Sequence, residues 1–85
     1  MRAVTVAPGP PRVAYAVGRS VGNAVARNRL RRRLRAAVAG RSDDLRPDTA
    51  YLVSAGPRAA AMTPAELSRA VGRLLRAAAE AGGAP

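Results

Sequence analysis

From Arg27 to Arg35, six of nine residues are arginine, with only Asn28, Leu30 and Leu34 between them. The guanidinium group is planar, permanently charged and forked, so it binds a phosphate through two donors at once. At helical spacing such residues make a polyanion-binding surface. Like charges one turn apart repel, so the run costs stability until something negative offsets it. No acid stands three or four residues from any of these arginines, unlike a solvated helix face laced with ion pairs. Asn28 adds an amide able to bond to phosphate, sugar or base edge.

Other chemistry is scarce. The chain has no histidine and no cysteine, which removes the commonest general base, the best nucleophile and the usual soft metal ligands. Asp43, Asp44 and Asp48 are the remaining cation candidates, and they read as a turn-forming loop. Glu66 reads as a helix cap and Glu80 lies near the C-terminus. The glycines of Gly18–Gly22 make a tight turn before a helix and lack the Lys-Ser/Thr ending of a phosphate loop. No catalytic residue and no protein-bound metal is expected. If the chain serves an enzyme, another component supplies the chemistry.

Charge is distributed unevenly. Residues 1–42 hold ten arginines and no acid, whereas residues 43–85 hold five of each, so the net charge of +10 sits in the first half. That asymmetry favours nucleic acid over an anionic membrane. No apolar run approaches the length of a bilayer span, and the first ten residues lack the long apolar stretch of a secretory signal. A soluble cytoplasmic protein with no membrane partner is the simplest expectation.

The elements that must position the arginines follow from periodicity. Residues 3–7 and 12–17 alternate and carry β-branched residues, as strands do, with Pro8–Pro11 as the turn between them. A helix is expected from about Asn23 to Ala39, with Leu30, Leu34 and Ala37/Val38 as its buried stripe and Gly40 as its stop. On its wheel Asn28, Arg31, Arg32 and Arg35 point away from that stripe, and Arg29 and Arg33 flank the other side. Residues 41–49 read as a polar loop, 50–54 as a third strand and 56–64 as a connector. Thr63-Pro64-Ala65-Glu66 has the N-cap, N1 and N3 residues of a helix start, and Leu67, Ala70, Val71, Leu74, Leu75 and Ala78 make an apolar stripe behind it. Gly82-Gly83 ends that helix. The order β-β-α-β-α fits one α+β domain over residues 1–85, a small sandwich with a mixed sheet of about three strands. With no Phe, no Trp and two tyrosines, its core is light in the residues that bury most area.

The stretch VGNAVARNRLRRRLR, Val21 to Arg35, resembles the arginine-asparagine-arginine motif of the bacterial ribonuclease P protein component. Ala24, Arg27, Asn28, Arg29, Leu30, Arg31, Arg32, Leu34 and Arg35 fill its slots in order. RVAYAVGRSVGNAV resembles the family's strand leading into that helix, and DTAYLVSAGPRA its next strand. Ser20 departs from the pattern, where lysine is common. The resemblance implies a β-α-β crossover around the arginine helix, left-handed against the usual preference. It also implies a chain short of the family's N-terminal basic helix and first strand.

By the same resemblance, a large catalytic RNA with bound Mg²⁺ removes the 5′ leader from precursor tRNA, and the small protein binds that RNA and the leader. Arg27, Asn28, Arg29, Arg31 and Arg32 would contact the RNA, with Arg19, Asn23, Arg33 and Arg35 in support. Tyr15 and Tyr51 are candidate leader contacts. Mg²⁺ would be held by the RNA, and no protein oligomer is required. The alternative is a non-catalytic RNA-binding protein, such as a ribosomal or assembly factor, with the same fold class and charge.

Overall fold

The computed structural model describes residues 2–5 and 9–82, with side chains described from 9 to 78. Strand β1 (Arg2–Thr5) and strand β2 (Arg12–Val17) are followed by helix α1 (Ala24–Ala39), strand β3 (Thr49–Ala55), a single helical turn α2 (Pro57–Ala60) and helix α3 (Pro64–Gly82). Short 3₁₀ turns at Arg19–Val21 and Ser42–Asp44 flank α1. Residues 6–8 of the first expected strand and turn, and Gly83, lie outside the described residues.

The sheet has the order β1-β3-β2. β1 runs antiparallel to β3, and β2 runs parallel to it with Val13 opposite Tyr51 and Tyr15 opposite Val53. β2, α1 and β3 thus form the expected β-α-β crossover in a mixed three-stranded sheet. Alternation decides the faces. Val17, Tyr51 and Val53 are buried toward the helices, while Ala14, Ala16, Leu52 and Ser54 stay exposed on the other side.

The core joins these strands to Leu30, Leu34 and Val38 of α1 and to Leu67, Val71, Leu75 and Ala78 of α3. The spacing of each set puts it on one helical stripe. Each fully buried Leu or Val removes enough apolar area to contribute roughly 1.5–3 kcal/mol before entropy is counted. Aliphatic side chains do this work almost alone, and Tyr51 is the one aromatic ring buried with them.

The start of α3 is the reciprocal cap that its sequence promises. Thr63 N–H donates to Glu66 Oε1 at 2.9 Å, and Glu66 N–H donates to Thr63 Oγ1 at 3.2 Å. Two main-chain donors that a helix start leaves orphaned are thereby satisfied. The connector after β3 departs from expectation. Pro57 presets the first helical position and Gly56 caps it without a side-chain bond, so residues 57–60 coil for one turn. Four residues are too few to show a period. Asp48 adopts a left-handed φ of 60° and ties the start of β3 to the segment between β1 and β2. Its N–H donates to Gly9 O at 2.9 Å and its carboxylate accepts from Gly9 N–H at 2.6 Å.

Candidate nucleic-acid interface

α1 starts abruptly because two residues arrange it. Gly22 takes a φ of 141°, a region that side chains rarely enter. Asn23 then caps the helix, its Oδ1 accepting from Ala26 N–H at 3.0 Å. The cap occupies the oxygen of Asn23, whose side chain is otherwise exposed. Arg19 is exposed on the 3₁₀ turn just before.

Once Leu30, Leu34 and Val38 are committed to the core, the intervening residues have fixed directions. Asn28, Arg29, Arg32 and Arg35 are exposed, and Arg27 and Arg31 are half-buried along one flank. Arg31 Nη1 donates to Asn28 Oδ1 at 2.9 Å, which steadies the guanidinium and leaves the Asn28 amide NH₂ facing outward as a donor. Arg35 lies over the Tyr15 ring, Cζ to centroid 5.7 Å, within cation–π range. Burial pushes the Tyr15 phenol above its ordinary pKa, and the positive charge of Arg35 partly opposes that shift. Arg27 Nε is buried without a hydrogen-bond partner among the described residues. Arg31 also overhangs an open recess of about 580 Å³ at the C-terminal ends of β2 and β3, beside Ala16, Gly18, Ser54 and Gly56.

Two expected contacts sit elsewhere. Tyr51 is 2% exposed in the core, because its position on β3 faces the helices, and its hydroxyl accepts from Arg46 N–H at 2.9 Å. It cannot present its ring to a leader strand. Arg33 turns inward along the α3 flank, where its guanidinium donates to Ala60 O at 3.2 Å and to Met62 O. On the helical wheel it lies beside the buried stripe, three residues from Leu30 and four from Ala37.

Electrostatics separate this face from a balanced surface. Among the described residues the ion pair is Arg41–Asp44 at 4.0 Å, and no arginine of α1 has a carboxylate within that distance. Leaving Arg33 aside, four arginine pairs on α1 stand three or four residues apart: 27–31, 31–35, 29–32 and 32–35. At roughly 0.2–0.5 kcal/mol each, their repulsion sums to about 1–2 kcal/mol. Any bound polyanion recovers that cost.

Among the described residues no three carboxylates, histidines or cysteines come together. Of the loop aspartates, Asp48 accepts from Gly9 N–H and Asp44 lies beside Arg41. No helix among the described residues is long and apolar enough to cross a membrane.

The ribonuclease P family profile matches residues 1–79. The chain belongs to the ribonuclease P family. Among its relatives, a ribonuclease P protein component of Beutenbergia cavernae is 51% identical over 69 residues, covering 81% of this chain and 58% of the relative. That of Mycobacterium sp. (strain KMS) is 44% identical over 71 residues, 84% of this chain and 60% of the relative. That of Acidothermus cellulolyticus is 48% identical over 68 residues, 80% and 56% respectively. The chain thus spans less than two thirds of the length of these curated relatives. No solved structure matches it. Arg27, Asn28 and Arg29, the stretch on which the resemblance rests, lie in the first turns of α1.

Proposed function

We propose that this chain serves as the RNA-binding protein component of ribonuclease P. In that reading it grips a large structured RNA along the exposed face of α1 and assists Mg²⁺-dependent removal of the 5′ leader from precursor tRNA, as part of a cytoplasmic ribonucleoprotein. The observation that carries the reading is the arginine face of α1, with no carboxylate counter-ion among the described residues, on a chain of this family. RNA and its bound cations supply the chemistry, and this chain's residues bind and orient.

Arg29, Arg32 and Arg35 offer forked donors to phosphates. Arg31, steadied by Asn28, does so beside the recess at the ends of β2 and β3. The Asn28 NH₂ donates to acceptors on the RNA while its oxygen accepts from Arg31. Tyr15, half-covered by Arg35, is the aromatic group nearest this face.

Reconstitution tests the reading. Cleavage of precursor tRNA by the cognate RNA subunit is measured at low Mg²⁺ with and without the protein. The protein is expected to raise the rate. Absence of stimulation at every protein concentration removes the reading.

A further inference from the structure

Within the arginine run, Arg33 differs from its neighbours in what it touches. Both arms of its fork are used on main-chain oxygens of the segment joining β3 to α3, at Ala60 and Met62. These carbonyls lie at the C-terminal end of α2 and just past it, where a helix leaves acceptors unsatisfied. Arg33 therefore caps a helical turn 27 residues away in the chain. The segment it holds begins at Gly56, a wall of the recess that Arg31 overhangs from the opposite flank of the same helix. Arg31 and Arg33, two residues apart, thus serve opposite sides of α1.

We propose that Arg33 is a positioning residue of the RNA interface and not one of its ligands: it fixes residues 57–62 against α1 and neutralises no phosphate. The inference rests on the RNA-binding reading of α1. A bidentate grip on two fixed carbonyls needs the planar fork, and a lysine cannot replace it. A phosphate contact needs mainly the charge, and a lysine keeps that. The substitutions Arg33→Lys and Arg33→Gln therefore separate the two roles.

The experiment measures binding of the cognate RNA subunit against salt for the full chain, for both variants and for Arg29→Gln as the reference ligand variant. It adds amide hydrogen exchange on the RNA-bound protein. Log affinity falls with log salt by about 0.7–0.9 per phosphate neutralised. Arg33→Lys and Arg33→Gln are expected to keep the wild-type slope. Both are expected to speed exchange at residues 59–62 while the β3 amides stay protected, a local effect that general destabilisation does not give. A variant that circular dichroism shows to be unfolded, alone and with RNA, has also lost a brace and not a ligand. A folded Arg33→Gln with a slope shallower by one phosphate, restored by Arg33→Lys, overturns the proposal. If Arg29→Gln also leaves the slope unchanged, the RNA-binding reading of α1 fails, and the exchange result still judges the brace.

Discussion

The guanidinium of Arg41 crosses α3 directly over Gly72, where a Cβ would overlap Nη1, Cζ and Nε. From there Nε donates to Ser68 O at 2.7 Å. A glycine inside a helix costs about 1 kcal/mol against alanine. Here the missing side chain makes room for a second arginine brace between the end of α1 and α3. Gly72→Ala is expected to change stability little, since the gain in helix propensity offsets loss of a charged hydrogen bond worth about 1.5 kcal/mol. Arg41→Ala should cost about 1.5 kcal/mol in the wild type and next to nothing in the Gly72→Ala background, where that bond is already lost. Urea denaturation of the four proteins measures the coupling, and simple additivity contradicts it.

Arginines that face RNA should destabilise the free protein. Arg29→Ala and Arg32→Ala each remove a repulsive neighbour. Arg32→Ala relieves two such pairs, so the free chain should gain about 0.4–1 kcal/mol. The same change should reduce the salt slope of RNA binding by about 0.7–0.9. Thermal melts paired with salt titrations check both signs, and a variant that loses stability without losing slope contradicts the assignment.

Tyr51 should report on folding and not on RNA. Tyr51→Phe deletes the acceptor for Arg46 N–H and is expected to cost about 1 kcal/mol. Tyr51→Ala opens a cavity under both helices and should cost about 3–5 kcal/mol, enough to unfold a small domain. Denaturant midpoints measure the first. The RNA salt slope of Tyr51→Phe should equal that of the wild type, and a change in slope would put the ring at the interface after all.

The cap of α3 gives a sign for pH. The Thr63 N–H, with help from the Thr63 hydroxyl and Arg69, holds the Glu66 carboxyl below its usual pKa. A carboxyl depressed in the folded state contributes stability that is full above its unfolded pKa and is lost as pH falls through the folded value. Glu66→Gln keeps an oxygen for Thr63 N–H but does not titrate. Any advantage of the wild type over Glu66→Gln at neutral pH should shrink as pH drops through the ordinary glutamate range near about 4 and below. Melting curves of both proteins across that interval test it, and a constant difference refutes the cap's charge dependence.

Much of this architecture is legible in the sequence because period and cap chemistry agree. β2 follows from alternation, α1 from the Leu30–Leu34–Val38 stripe, and α3 from Thr63 and Glu66. What the chain order conceals is long-range. Nothing local says that Arg33 spends its charge on Ala60 and Met62, or that Arg41 needs Gly72, since each partner lies some thirty residues away. Position beside the buried stripe was the available signal for Arg33, and an unexplained mid-helix glycine was the signal for Arg41. Tyr51 was misplaced for a simpler reason. Its strand alternates, but which face meets the helices depends on packing that a short run does not reveal.

The strand order has a further effect on how the chain is made. β3 sits between β1 and β2, yet it is the last of the three to leave the ribosome. Until residues 49–55 emerge, the two earlier strands have no ladder to join, and α3, which covers α1, comes later still. Such non-local pairing slows folding. The arginines of α1 are therefore translated, charged and unshielded, well before the sheet beneath them can close.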